Sequence, residues 1–175
     1  VDLNLRITHP HLEVYPVPAF DAEQFLATRL PGQPAFAIAE FPHPAFVAPL
    51  KRLRAGGVSV FYDLIDDWRS SLGGDWYSIA VEQEYLEFSH HLLASAGELV
   101  TRLKAMGAPV VQYVPNAVNR RLFVWRDHPR PADMPRGEFT ILYIGALWGH
   151  WFDWNLLVDV ALAYPSAAVV VIGDY

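Results

Sequence analysis

The chain has 175 residues, of which 53% are hydrophobic and 14% aromatic, so it can form a sizeable core as one domain or as parts of two. A formal net charge of -6, with arginines that do not cluster into a stripe, argues against a nucleic-acid-binding protein. The absence of cysteine excludes disulfides and cysteine metal sites, and no apolar run approaches the roughly 20 residues of a membrane-spanning helix, so we expect a cytoplasmic protein.

The N-terminal segment, residues 1–34, is rich in proline and weakly periodic, which predicts loops with one short helix over Ala22–Arg29. After it, short apolar runs alternate with amphipathic stretches. The predicted strands are Ala35–Phe41, Val58–Asp63, His91–Ala94, Val110–Val114, Phe139–Gly145 and Ala168–Ile172. Four further helices are predicted. One has Pro49 in its first turn and ends at Ala55, and the next runs from an N-cap at Asp75 to Phe88. The third follows a capping box formed by Ser95 and Glu98, and the fourth contains the apolar face from Leu156 to Tyr164. This alternation predicts an α/β fold with a parallel sheet and flanking helices.

A proline-rich stretch, RDHPRPADMPRG, divides the chain at residues 126–137 and is the best linker candidate. We therefore predict an N-terminal domain over residues 1–125 and the beginning of a second domain over residues 138–175. Only one βαβ unit follows the linker, which leaves its sheet edges uncovered, so we expect the second domain either to be cut short or to dock on the sheet of the first.

An acidic loop follows the second predicted strand, where Asp63, Asp66 and Asp67 stand beside Trp68. Ligands of open α/β sheets bind beyond the carboxyl ends of the strands. Carboxylates next to an aromatic ring suit a hydroxylated ligand such as a sugar, and the carboxylates would also suit a cation. Alternatively, Asp66 or Asp67 caps a turn and the other acids are simply solvated. A phosphoacceptor aspartate is disfavoured, because no acidic pair follows an earlier strand and no lysine follows a later one.

A second candidate is GALWGHWFDW, residues 145–154, between a strand and a helix. Gly145 permits close backbone approach, and the following helix N-terminus could receive a phosphate. The three tryptophans either contact a ligand or form an aromatic cluster that covers the sheet or an interface. The segment matches neither a G-x-G-x-x-G fingerprint nor a P-loop.

The histidines indicate no metal centre. Glu87-x-x-His90 is half of a di-metal carboxylate motif without its second copy, and His9-x-His11 lacks further ligands. His43, between two prolines just after a predicted strand, is either a base or ligand contact or a surface-loop residue.

Three segments in order resemble the group-1 glycosyltransferases, the retaining family built from two facing Rossmann-like domains in the GT-B architecture. Residues 58–68 (VSVFYDLIDDW) are similar to the strand and acidic loop before the acceptor cleft of bacterial cell-surface polysaccharide members. Residues 82–123 resemble the family's "E…S…L…PNGVD…F" segment, and residues 141–174 resemble the opening of its nucleotide-sugar-binding domain. The family's NGVD reads Asn116-Ala117-Val118-Asn119 here, and its E-x7-E donor motif would lie beyond residue 175.

The resemblance implies transfer of a sugar, with retention, from a nucleotide-diphosphate sugar to a glycan or lipid-linked acceptor, without a cofactor or a required metal. It is compatible with peripheral association at the inner face of the membrane and with a homo-oligomer. The implied catalytic, acceptor-side residues are His43, Asp66 and Asp67. The implied donor-binding residues are Gly145, Ala146 and Gly173, and the implied sugar contacts are Asp63, Trp68, Trp148 and Trp151. The chain alone could be inactive, and the rival interpretations are a non-catalytic sugar- or nucleotide-binding α/β domain and an assembly module whose tryptophans form an interface.

Overall fold

The computed structural model describes residues 19–28, 34–70, 72–127, 129–148 and 152–174. The chain divides into two compact units, residues 1–117 and residues 118–175. Among the described residues, none of the helices combines the length and the apolar character that crossing a membrane requires.

The first unit is a parallel α/β sheet. Its elements are α1 (Ala22–Thr28), β1 (Phe36–Ala39), α2 (Pro44–Ala55), β2 (Ser59–Leu64), a 3₁₀ turn (Gly74–Trp76), α3 (Ile79–Phe88), β3 (His91–Ala94), α4 (Gly97–Ala105) and β4 (Gln112–Tyr113). The four strands lie in the order β1-β2-β3-β4, and every neighbouring pair is parallel. The prediction of an α/β fold with a parallel sheet and flanking helices is thereby confirmed.

The two faces of this sheet differ in burial. Along β2, Val60, Tyr62 and Leu64 are completely buried, whereas Phe61 and Asp63 between them are only partly covered. Helices α2, α3 and α4 all pack against the sheet. The core of the unit therefore lies between these helices and the inward-pointing side chains of β2 and β3.

The start of α2 differs from the prediction. The helix begins at Pro44, and His43 is its N-cap, with Nδ1 accepting a hydrogen bond from the amide of Ala45 at 3.1 Å. Proline suits this first helical position because its missing N–H would have no partner there. Pro49, which we placed in the first turn, instead lies inside the helix, so that prediction was wrong.

The starts of α3 and α4 were also predicted wrongly. Asp75 lies in the 3₁₀ turn, and α3 begins only at Ile79, after Ser78. The expected capping box does not form, because α4 begins after Ala96 without a side-chain cap. The Ser95 hydroxyl instead donates to the carbonyl of Ile65 at 2.8 Å, which ties together the loops that follow β2 and β3.

The second unit contains one βαβ motif, as expected. Its elements are β5 (Thr140–Ile144), α5 (Trp154–Ala163) and β6 (Ala168–Ile172), and the two strands pair in parallel. The Asp153 carboxylate caps α5 by accepting a hydrogen bond from the amide of Leu156 at 3.0 Å. No residue of α5 is fully buried, so its apolar side chains remain largely exposed within this unit.

We expect truncation of a β2 core side chain to be costly. Val60 is completely buried, so Val60→Ala should lower the free energy of unfolding by about 2 kcal/mol through lost burial and the cavity left behind. Val110→Ala is the matched control, because Val110 is 75% exposed and its truncation should change stability by less than about 0.5 kcal/mol. Urea denaturation measures both values, and equal losses would contradict the assignment of the core.

Candidate functional site

A polar pocket lies at the carboxyl edge of the first unit's sheet, where the chain leaves β2, β3 and β4. Its volume is about 360 Å³. The pocket is lined by Ile65, Asp66, Asp67, Arg69, Ser95, Ala96, Glu98, Leu99, Arg102 and Asn116. The acidic loop singled out from the sequence thus forms one wall, and the first two turns of α4 form another.

The two neighbouring aspartates of the loop differ in their surroundings. Asp67 forms a bidentate ion pair with Arg69, with Nε to Oδ1 at 2.9 Å and Nη2 to Oδ2 at 2.7 Å. These charge-assisted bonds from Arg69 lower the pKa of Asp67 to about 2, against the opposing effect of partial burial. Asp66 is exposed at the rim of the pocket. Asp67 is therefore a fixed carboxylate, while Asp66 is open to a ligand.

Behind the pocket lies a buried hydrogen-bond network centred on the carboxylate of Glu82, which is completely buried. The hydroxyls of Tyr62 and Tyr77 each donate to it at 2.7 Å, and Nη2 of Arg102 donates to it as well. Burial, reinforced by the nearby Glu82, raises the pKa of Tyr62 and raises that of Tyr77 to about 12. Both phenols therefore remain proton donors to the carboxylate at neutral pH.

Arg102 connects this network to the polar pocket. Its side chain is only 7% exposed, and Nη2 is occupied by Glu82 and by the hydroxyl of Tyr77 at 3.0 Å. Nη1 lies 3.9 Å from Oδ1 of Asp67, which is an ionic contact too long for a hydrogen bond. Among the described residues, neither Nε nor Nη1 of Arg102 has a hydrogen-bond partner.

An aromatic pocket of about 490 Å³ adjoins the acidic loop on its other side. It is lined by Phe41, His43, Ala45, Phe46, Trp68, Leu72 and Trp76. The rings of Phe41 and Trp68 are 4.9 Å apart, and those of Trp68 and Trp76 are 5.7 Å apart. Because Trp68 follows Asp67 directly, the two pockets share the loop as a common wall.

The remaining predicted residues of the first unit have different placements. Trp68 is largely buried, and its Nε1 donates to the carbonyl of Glu40 at 3.2 Å, so it forms a wall of the aromatic pocket. His43 lines the same pocket, with its ring centroid 5.4 Å from that of Trp76. Asp63 lies within β2 and does not line the polar pocket, and partial burial raises its pKa.

In the second unit, the predicted donor residues lie at the carboxyl ends of β5 and β6. The amide of Gly145 donates to the carbonyl of Ile172 at 3.0 Å, and a Cβ added to Gly173 would lie 1.7 Å from the Gly145 oxygen. Glycine is thus required at 173 by the close approach of two backbones. Ala146 accepts a hydrogen bond from the Tyr143 hydroxyl at 2.9 Å, Trp148 is half exposed, and Trp151 lies outside the described residues.

Sequence reasoning missed the buried network. The spacing of Tyr77, Val81, Tyr85 and Phe88 predicts an apolar stripe on α3 with Glu82 largely off it, but this is wrong, since Glu82 is completely buried one turn before the buried Tyr85. Arg102 could have been noticed, because it lies between Leu99 and Leu103 on the apolar face of α4. A charged side chain inside an apolar stripe indicates a buried, paired charge.

Within the described part of the chain, no group of three or more His, Asp or Glu side chains could hold a metal ion. Comparison of the chain with protein-family models, with curated proteins and with solved structures found no match.

Removing the charge of Glu82 should strongly destabilise the first unit. Glu82→Gln removes the charge opposite buried Arg102, and breaking a buried pair from one side typically costs about 3 kcal/mol or more. Glu87→Gln on the same helix is the matched control, because Glu87 is exposed and should tolerate the change within about 0.5 kcal/mol. Urea denaturation distinguishes the two, and a Glu82→Gln loss as small as the control's would mean that the network does not support the fold.

Acid stability should depend on Asp67. Its pKa in the folded protein is about 2, against an ordinary value of 3.8, so its stabilising contribution is complete above 3.8 and is lost as the pH falls toward 2. We therefore expect Asp67→Asn to flatten the fall of unfolding free energy over that interval, measured by denaturation at several acid pH values. Asp75→Asn, at an exposed position outside both pockets, serves as the control. An unchanged slope for Asp67→Asn would contradict the role of the Arg69 pair.

Proposed function

We propose that this chain contains the acceptor-side domain and the first donor-side elements of a glycosyltransferase of GT-B architecture. In this proposal it transfers a sugar, with retention, from a nucleotide-diphosphate sugar to a glycan or lipid-linked acceptor, at the cytoplasmic face of the membrane. The observation that carries the proposal is the pairing of a carboxylate-lined pocket with an aromatic pocket across one loop. Carboxylates accept hydrogen bonds from sugar hydroxyls, while aromatic faces pack against the apolar side of a sugar ring.

The two aspartates take different roles in the proposed reaction. Asp66 is exposed at the pocket rim and can accept the proton of the acceptor hydroxyl. In the proposed step the acceptor oxygen bonds to the anomeric carbon while the bond to the nucleoside diphosphate breaks on the same face of the sugar, which retains the anomeric configuration. Asp67 is a poor proton acceptor, because its pairing with Arg69 lowers its pKa to about 2. We therefore assign Asp66 as the candidate base and Asp67 as a group that orients the acceptor.

His43 is better suited to donate than to accept a proton. Its Nδ1 already accepts a hydrogen bond from the amide of Ala45, so in the neutral ring the proton resides on Nε2. The Nε2–H group can then donate to a ligand oxygen in the aromatic pocket. His43 also caps α2, so its substitution would affect both the helix and the pocket.

On the donor side, the resemblance of residues 141–174 to a nucleotide-sugar-binding domain motivates the proposed roles of Gly145, Ala146 and Gly173. Gly145 and Gly173 bring the ends of β5 and β6 into close backbone contact. Small residues at such strand ends let a diphosphate approach the main chain. Trp148 and Trp151 remain predicted sugar contacts.

The proposal is tested with the intact protein and a panel of nucleotide-diphosphate sugars and glycan acceptors. We expect Asp66→Asn to lower the transfer rate by about 10²-fold or more, the usual contribution of a general base, while donor binding stays unchanged. Asp67→Asn should raise the KM for the acceptor more than it changes kcat. Asp133→Asn, at an exposed position of the second unit, is the matched control and should behave like the unmodified protein.

Two outcomes would count against the proposal. Transfer that is unaffected by both Asp66→Asn and Asp67→Asn would remove the acidic loop from the mechanism. Saturable sugar binding without transfer from any donor would favour the rival function, a non-catalytic sugar-binding domain.

A further inference from the structure

The guanidinium of Arg102 has buried, unpartnered donors beside the polar pocket. The group has five N–H bonds, and only those of Nη2 are engaged, by Glu82 and by the hydroxyl of Tyr77. Nε and Nη1 have no hydrogen-bond partner among the described residues, although the residue is only 8% exposed. A buried donor without a partner is destabilising, so the arrangement points to a group outside the protein that completes it.

The orientation of these donors is fixed by the network behind them. Glu82 is itself completely buried and is held in place by the hydroxyls of Tyr62 and Tyr77. The planar guanidinium is therefore anchored along one edge, while Arg102 lines the polar pocket. A ligand that meets the other edge does not have to order the side chain first, which favours binding.

The charges around the pocket select the kind of ligand. Its wall contains three carboxylates, those of Asp66, Asp67 and Glu98, against the two cations Arg69 and Arg102. An anionic ligand would meet net repulsion, whereas a hydroxyl can accept from a guanidinium and donate to a carboxylate at once. The cavity of about 360 Å³ falls within the range of small-molecule sites.

The gap between Arg102 and Asp67 has a suitable width for such a hydroxyl. Nη1 and Oδ1 are 3.9 Å apart, too far for a direct hydrogen bond. An oxygen placed about 2.9 Å from the nitrogen and about 2.7 Å from the carboxylate oxygen would bond to both groups at ordinary hydrogen-bond lengths and would give Nη1 a partner. Asp66 at the rim can then accept from a neighbouring hydroxyl of the same ring.

We propose that the polar pocket binds a pair of adjacent hydroxyls of a neutral acceptor sugar, with one hydroxyl bridging Arg102 and Asp67 and the next donating to Asp66. This inference rests on the proposed glycosyltransferase function and assigns Arg102 as a specificity-determining residue for its acceptor. Acceptors that lack the bridging hydroxyl are discriminated against, because they leave Nη1 of Arg102 without a hydrogen-bond partner.

The test observes Arg102 directly. In protein labelled with ¹⁵N-arginine, the Nε–H signal of Arg102 is identified by its loss in Arg102→Lys. Methyl α-D-glucopyranoside, methyl α-D-galactopyranoside and methyl α-D-mannopyranoside are titrated up to their solubility, with inorganic phosphate as the anionic comparison. We expect at least one glycoside to shift the signal saturably, and phosphate to leave it in place.

Variants then connect the signal to binding. Arg102→Lys keeps a positive charge beside Glu82 but loses the guanidinium fork, so it should weaken binding of that glycoside about tenfold or more. Arg54→Lys, at an exposed position of α2, is the matched control and should bind normally. Should Arg102→Lys fail to fold, Asp67→Asn alters the acceptor of the same hydroxyl at a partly exposed position and should weaken binding similarly.

The inference is overturned if no glycoside moves the Arg102 signal, or if phosphate moves it and the glycosides do not. Its failure is separable from that of the proposed function. If the Arg102 signal does not shift but sugar transfer depends on Asp66, only this inference is overturned and the proposed function stands. Saturable glycoside shifts without transfer from any donor would support the inference and overturn the proposed function.

Discussion

The first unit depends on one buried carboxylate. Glu82 has no access to solvent, and its charge is compensated by Arg102 and by the hydroxyls of Tyr62 and Tyr77. These partners come from β2, from the segment before α3, and from α4, so one group joins three parts of the fold. A buried charge pair is not by itself a large source of stability, but removing either partner leaves the other uncompensated. The positions of the sheet and of two helices are therefore coupled.

The same coupling prepares the candidate site. Arg102 is held by the network on one side and lines the polar pocket on the other, so the core determines where a charged donor meets a ligand. The acidic loop adds two carboxylates of different character, because Asp67 is fixed by Arg69 while Asp66 is exposed. Adjacent residues with different surroundings can divide orientation and proton transfer between them. Trp68, the next residue, extends the same loop into the aromatic pocket.

Much of the fold could be predicted from the sequence, because alternation of apolar runs and amphipathic stretches directly reflects burial. Strands β3 and β6 were placed to the residue, and the parallel α/β class was correct. Helix starts were less predictable, since Ser95, a good capping residue, instead bonds to Ile65 across the sheet edge. The acidic loop was recognisable from its composition and its position after a strand. The place of Arg102 in the apolar stripe of α4 indicates a buried charge, but its position beside the loop could not be predicted, because only the folded chain brings α4 there.

The network also has a consequence for how the sheet assembles. Tyr62 reaches Glu82 only because β2 pairs with its neighbours in one alignment, with Tyr62 opposite Ala39 on one side and Leu92 on the other. Side chains alternate between the two faces of a strand, so sliding β2 by one residue would turn Tyr62 away from α3. In the misaligned sheet the buried Glu82 carboxylate would lack the hydrogen bond from the Tyr62 hydroxyl. The network therefore favours the observed strand alignment, since only in that alignment can Tyr62 donate to Glu82 when α3 packs against the sheet.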